Sequence, residues 1–318
     1  MEYLNKIGRS RVFGWGAIVV VLVVMCLLPF VLSGGWLSSV TEMLILALAG
    51  LAVNLIVGYG GMVTFGHAGL YAVGSYAFAL LELSLGVPFA IAMILAPFIT
   101  AIAGAVVGWF CVRLTSHYFA LLTMAFGMII WAIINSWYSV TNGDNGLFGI
   151  PIPEMLKSIP SYYYFTLIVV TVSAIIMKVI LSSPYGVILR AIRENSTRVN
   201  FLGVNVRNYK WLTFTLSAFF IGIAGALFAG FTNSVFPQFA YWTKSGEFLV
   251  VVLLGGMFSF IGPMVGSVLF VFLDKVITAY TVYWPFVLGM ILILCTILFR
   301  AGIVGFISEK VLRQGDRQ

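Results

Sequence analysis

Long apolar runs recur from one end of the chain to the other, and they constrain its fold more than any other feature. They cover residues 13–32, 41–58, 67–86, 88–113, 118–139, 161–182, 211–236, 247–259, 260–280 and 282–300. An α-helix of about 20 residues spans the ~30 Å hydrocarbon core of a bilayer. Inside lipid the backbone has no water to bond, so a spanning segment must be a helix or part of a closed barrel. Barrel strands alternate apolar and polar residues, and no such alternation runs through this chain. Charged residues make up 8% of it, against about 25% in soluble domains. The expected fold is an all-α integral membrane protein of about ten transmembrane helices, some short or broken. It forms a single transmembrane domain over residues 1–318.

The remaining charges are placed unevenly. The net charge is +7, a balance that also suits nucleic acid. Lys and Arg, however, collect in the cytoplasmic loops of membrane proteins. With ten spans and a cytoplasmic N-terminus, only Lys157, Lys244 and Lys275 of the 17 basic residues fall toward the outside. The expectation is therefore two cytoplasmic termini, contact with membrane lipid and no nucleic acid. The run 13–32 follows Lys6, Arg9 and Arg11. It exceeds the apolar core of a signal peptide, about 7–15 residues, and is read as an uncleaved first span. Cys26, Cys111 and Cys295 stand in separate runs with no CxxC or Cys/His cluster. They are read as small buried hydrophobes, with neither disulfide nor metal.

Several short motifs interrupt the runs. The loop Val140–Pro160, expected outside, is rich in Gly, Asn and Pro. Within it Asn142, Gly143, Asp144 and Gly146 suit a tight turn, and the spacing of a calcium loop is missing. Tyr162–Tyr164 and the pair Tyr241 and Trp242 suit a headgroup belt. GGMVTF at Gly60–Phe65 echoes GGMFSF at Gly255–Phe260, each between two apolar runs. Paired glycines with a hydroxyl loosen a helix, and a broken helix shows backbone groups to a cavity. Asp274 and Lys275 lie inside a run, so they face protein, water or the interface. Glu82 and Glu247 fall near outer span ends and are read as interfacial.

The stretch SPYGVILRAIREN, Ser183–Asn195, is unusually charged for its surroundings. Ser183 is placed to cap a helix that starts on Pro184. Gly186 permits close approach of a partner backbone. Arg190 and Arg193 share a face, with Ala191 between them and Glu194 four positions after Arg190. Ile188, Leu189 and Ile192 make an apolar side suited to a groove. Gly203 ends or turns the segment that follows. On these residues alone the stretch is a docking helix or a positive loop lying on anionic lipid.

Five blocks in one order carry a family resemblance: NLIVGYGGMVTFGHAGLYAVGSY (Asn54–Tyr76), HYFALLTMAFG (His117–Gly127), TNGDNGLFGIP (Thr141–Pro151), SPYGVILRAIREN with its tail through Gly230, and VVLLGGMFSFIGPMVGSVL (Val251–Leu269). Together they resemble the permease subunits of branched-chain amino-acid ABC importers, over nearly the whole chain. Two departures stand out: LFRAGIVG replaces a Pro-Arg-Gly turn after the last span, and Thr64 replaces a frequent Ser.

The resemblance implies a bacterial inner-membrane permease that moves Leu, Ile or Val by alternating access. Related permeases carry urea or short amides, which is the alternative cargo. Its implied partners are a homologous permease, two ATP-binding cassette ATPases and an extracytoplasmic binding protein. Residues 183–210 become a cytoplasmic coupling loop, with Ser183, Pro184, Gly186, Arg190, Ala191, Arg193, Glu194 and Gly203 meeting the ATPase. The adjoining span carries Gly222, Gly225 and Ala229, small residues that let helices pack and slide.

The substrate passage is placed near Gly60, Gly61, Thr64, Phe65, Gly66 and His67, with the echo at Gly255 and Gly256. Asn142, Gly143, Asp144 and Gly146 are placed at an outer gate or a binding-protein contact. His67 either serves the passage, being able to titrate near neutral pH, or is a helix-end residue satisfied by backbone carbonyls; the structural role is the expectation. His117 is expected solvated in a loop over 114–117. The chain has no GxxxxGK[ST] loop, so no cofactor is expected on it and ATP–Mg belongs on the partner ATPases. An ion-coupled secondary transporter is the other alternative, although the midplane acidic or histidine relays it would need are not evident; a channel filter and the motifs of a membrane enzyme are not evident either.

Overall fold

The computed structural model describes residues 23–114 and 116–280, with single positions and short stretches from 283 to 305. The first part of the first expected span, most of the last, Cys295, Arg300 and both termini lie outside the described residues.

Residues 23–31 form helix α1. Then follow α2 (Gly34–Asn54), a π-helical turn (Leu55–Tyr59), α3 (His67–Leu83), α4 (Phe89–Cys111), α5 (Ser116–Ser136), α6 (Tyr138–Thr141), α7 (Ile159–Ser182), α8 (Pro184–Phe201), α9 (Val206–Thr232), α10 (Trp242–Gly255) and α11 (Gly262–Tyr280). Two short strands, β1 (Leu147–Phe148) and β2 (Ser234–Val235), pair antiparallel with Leu147 opposite Val235.

Six helical stretches among the described residues are long and apolar enough to cross a membrane: Gly34–Tyr59, Phe89–Cys111, His117–Ser136, Ile159–Ser182, Val206–Thr232 and Gly262–Tyr280. The chain is a helical integral membrane protein. α3 and α10 have 17 and 14 residues. At 1.5 Å per residue they rise about 26 and 21 Å, less than the ~30 Å core. Each borders a glycine segment that interrupts the helix. α2 and α9 start earlier than their apolar runs. The hydroxyls of Ser38 and Ser39 bond back to the carbonyls of Gly34 and Gly35 at 3.0 and 3.1 Å. The Asn205 side chain accepts from the Asn208 amide at 3.2 Å. Asn205 thus caps a first-turn amide of α9, while the α2 serines add bonds to first-turn carbonyls, and each helix begins with polar residues ahead of its greasy part.

α9 runs through the middle, packed on α2, α3 and α4, while α2 also meets α7, α10 and α11. α5 presents Leu121, Ile129 and Ile133 outward. A helix apolar on its exposed side suits lipid. The Tyr162–Tyr164 triplet is not a lipid belt. Tyr162 and Tyr163 are buried. Their hydroxyls donate to the carbonyls of Leu227 and Met25, each at 2.7 Å, and Tyr164 reaches Cys26 O at 2.9 Å. A buried phenol needs an acceptor, and here the acceptors tie α7 to α9 and α1. Cys111 is buried as expected, whereas Cys26 is exposed.

Candidate functional site

α2 does not end as an ordinary helix. It widens into the π turn Leu55–Tyr59 and breaks at Gly60. The last carbonyls of any helix lack intrahelical partners. One of them, Gly58 O, accepts from Arg193 Nη1 of α8 at 2.5 Å. The same guanidinium lies 5.0 Å from the centre of the Phe258 ring, within cation–π range. Asn54 Nδ2 donates to Ser259 O at 3.2 Å. A Cβ on Gly58 would overlap the Met257 carbonyl. The end of α2, just ahead of the first glycine segment, therefore packs against the second segment far along the chain, and one arginine touches both. The echo extends to the backbone. Its second glycine has positive φ in each copy, +67° at Gly61 and +111° at Gly256. Gly60 caps the π turn and Gly255 is the last residue of α10.

Beyond the break, α3 starts at His67 in a corner held by side-chain hydroxyls. The amides of Phe65, Gly66 and Ala68 donate to the hydroxyls of Thr123 (3.3 Å), Thr64 (3.3 Å) and Ser245 (2.8 Å). Those hydroxyls come from α5, the linker and α10, so the entry to α3 is held from three directions, with its Ala68 amide among the groups satisfied. Ser217 Oγ donates to Ala52 O at 2.6 Å. It therefore accepts from His67 Nε2–H at 2.8 Å, and Nδ1 accepts from Thr64 at 3.1 Å. This order assigns the neutral Nε2–H tautomer. His67 is satisfied, but by hydroxyls of the linker and α9 and not by backbone carbonyls. Thr123, Ser217 and Ser245 were missed in the sequence. Thr123 and Ser217 showed only as hydroxyls inside apolar runs, and Ser245 only as one polar residue of the stretch between two runs.

α8 begins on Pro184 as expected, with several corrections around it. Ser183 holds the N-cap position, but its hydroxyl turns back to Ile180 O at 2.7 Å. Gly186 approaches the end of α7, where a Cβ would overlap Leu181 O, and not an outside partner. Arg190 donates to Leu181 O at 3.2 Å, and no ion pair with Glu194 forms among the described residues. Leu189 and Ile192 are buried against the chain itself, so the apolar side is already covered. Ala191 is half-buried and Glu194 exposed. Asn195 interrupts the helix at φ −156°, and its side chain caps the next turn at the Arg198 amide, 2.9 Å. Gly203 turns the chain with φ +83°. Phe201 and Leu202 protrude, 87% and 77% exposed.

The residues expected at an outer gate belong to a separate turn between α6 and β1. Asn142 adopts a left-handed conformation (φ 61°) and its Nδ2 donates to Gly146 O at 3.0 Å. Asp144 accepts from the Tyr138 hydroxyl at 2.9 Å. β1, which follows Gly146, pairs with β2 at the end of α9. Gly143 opens a single 3-10 turn. No group of His, Cys, Asp and Glu able to hold a metal occurs among the described residues. His117 is exposed but lies in the first turn of α5, not in a loop. Glu82 is 5% exposed, a buried carboxyl and not an interfacial one. Glu247 pairs with Lys244 at 2.7 Å and Lys275 with Glu42 at 3.3 Å.

A sequence profile described as "Branched-chain amino acid transport system / permease component" matches residues 35–296. The high-affinity branched-chain amino acid transport system permease protein LivM of Escherichia coli is 30% identical over 88% of this chain and 72% of its own. LivH of Salmonella typhimurium, from a system of the same description, is 26% identical over 81% of this chain and 91% of its own. The nucleoside ABC transporter permease protein NupC of Lactococcus lactis is 23% identical over 66% and 72%. No solved structure matches the chain.

Proposed function

Because the chain belongs to the branched-chain amino acid transport permeases, a family of transporters and not of enzymes, we propose that it is the membrane subunit of an ATP-driven importer for Leu, Ile or Val. In this reading it has ten spans in a bacterial inner membrane and both termini in the cytoplasm. It pairs with a homologous permease, two ATPases that carry ATP–Mg, and an extracytoplasmic binding protein. Residues 183–210 form the coupling loop.

The observation that carries the mechanism is the Arg193 contact with both broken segments. A push on α8 from a closing ATPase reaches α2 through Gly58 and the α10–α11 link through Phe258. No soft loop intervenes. Broken helices move as short rigid pieces about their breaks, so the two pieces open and close a passage together. The α3 corner, held by hydroxyls from α5, α9 and α10, follows those pieces.

The test is uptake by the complete complex in proteoliposomes, with labelled leucine against labelled urea. ATP-dependent, vanadate-sensitive leucine uptake is the expected result. Uptake of urea alone, or leucine uptake driven by an ion gradient without ATPases, would overturn the reading.

A further inference from the structure

The end of α4 and the start of α9 border an open cleft of about 520 Å³. Trp109, Arg113, Asn205, Arg207, Asn208 and Trp211 line it. Both helices are long and apolar enough to span a membrane, so their ends fall where hydrocarbon gives way to headgroups. Trp is enriched at that level, and each helix supplies one indole. In the topology proposed above this is the cytoplasmic side; the site itself does not depend on that assignment.

The indoles are held in place. Trp211 Nε1 donates to Ala105 O of α4 at 2.8 Å. Trp109 carries two guanidinium groups: Arg113 Cζ stands 3.8 Å from the ring centre and Arg207 Cζ 5.9 Å, within cation–π range. Both distances start from one ring, so the two charges lie within about 10 Å, one Debye length at moderate salt, and repel each other. No carboxylate offsets them. No acidic residue lines the cleft, and neither guanidinium has an ion pair or hydrogen bond among the described residues. A guanidinium held over a ring keeps its N–H donors. Two asparagines add more. The Asn205 side-chain oxygen accepts from the Asn208 amide at 3.2 Å, which leaves its NH2 to bond elsewhere. The Asn208 side chain makes no hydrogen bond among the described residues. Topology asks for basic residues on the cytoplasmic side, but not that two of them converge on one ring among further donors. Paired arginines with free donors suit a phosphate.

The surface beside the cleft separates a lipid from a free phosphate. Ile102, Val106 and Trp109 fall at i, i+4 and i+7, one stripe of α4, and all three are exposed. Arg113 follows just past the helix end at Cys111. An apolar stripe thus leads from the charged cleft along the span. A soluble anion has no use for it, whereas an acyl chain does.

We propose that this cleft binds an anionic glycerophospholipid, with the phosphate bridging Arg113 and Arg207 and an acyl chain lying along Ile102 and Val106. Basic pockets between membrane helices hold acidic headgroups in this way. Arg207 stands in the first turn of α9, at the end of the loop 183–210, so an occupied site ties that end of the loop to α4.

The experiment is native mass spectrometry of the delipidated permease–ATPase complex, titrated with phosphatidylglycerol or with phosphatidylcholine of the same acyl chains. The first phosphatidylglycerol should bind on the order of tenfold more tightly than the first phosphatidylcholine. Arg113→Gln with Arg207→Gln should remove that preference. Lys310→Gln with Arg313→Gln, which removes the same charge elsewhere in the sequence, should keep it. Inorganic phosphate at millimolar concentration should not displace the lipid. If the double arginine variant is not recovered from membranes, Arg207→Gln alone, at an exposed position, decides by a several-fold loss. The proposal is overturned if the two lipids bind alike, if the arginine variants keep the preference, or if the control pair loses it equally. Displacement by inorganic phosphate would make the site one for a free anion. Arginine variants recovered without ATPases, yet with the lipid preference intact, would give the cleft to the ATPase interface instead.

Discussion

Arg193 Nη1 and Gly58 O, 135 positions apart in sequence, meet at 2.5 Å. The contact uses a carbonyl that the end of α2 leaves unpaired, and the guanidinium covers Phe258 at the same time. A charge-assisted bond of this kind is worth about 1.5–3 kcal/mol. Arg193→Ala should therefore loosen the joint between α8 and the broken helices. Because the side chain points into the chain and not away from it, ATPase subunits should still copurify. Leucine moved per ATP hydrolysed should fall about tenfold. Loss of copurification would put Arg193 on the ATPase side instead.

Phe201 and Leu202 are the exposed apolar end of α8. Exposed apolar side chains on a helix this charged suit a partner surface. The pair Phe201→Asp with Leu202→Asp should abolish ATPase copurification with the permease fold intact. Leu189→Asp, at a position with no exposed surface, should instead cost several kcal/mol and reduce the amount of folded permease. Pull-down yield and detergent melting curves separate the two outcomes.

α9 crosses α3 and α4 where it carries Gly222. A Cβ there would stand 2.6 Å from Thr100 Oγ1, and one on Gly74 would stand 2.6 Å from Gly222 O. Gly222→Val should destabilise by about 1–3 kcal/mol through overpacking. Gly35→Ala, in open space near the start of α2, should be neutral or stabilising by up to about 1 kcal/mol. Thermal unfolding of the purified complex reads both, and equal melting temperatures would remove the packing argument.

Ser217 Oγ accepts a hydrogen bond from His67 Nε2–H and donates its own to Ala52 O. Ser217→Ala leaves a buried imidazole N–H without an acceptor, at a cost of about 1–3 kcal/mol. Ser217→Thr keeps the hydroxyl and should recover much of the loss. A Ser217→Ala protein as stable as wild type would mean that the relay does not hold α3 to α2 and α9.

The helical membrane class was legible because it follows from local composition: an apolar run near bilayer length has few other ways to satisfy its backbone. The glycine echo was legible too, since breaks depend on residues within a few positions of each other. What the echo does was not legible. Nothing in GGMVTF or GGMFSF states that the end of α2 ahead of the first packs on the second, because that depends on residues nearly 200 positions apart. The same reason hid Thr123, Ser217 and Ser245, whose partners lie on other helices. It also reversed the reading of Leu189 and Ile192. An amphipathic helix has an apolar side by sequence, but only packing decides whether the chain or a partner covers it.

The sequence by itself determined that this chain lives in lipid, where its helices break, and that a charged helix interrupts them near the middle. Periodicity, turn chemistry and the cost of burying charge act over a few residues and need no knowledge of the rest. Tertiary structure alone decided that Arg193 joins that helix to both breaks and that Glu42 of α2 pairs with Lys275 of α11. Such meetings arise from how whole helices pack, and packing is settled by all of them together.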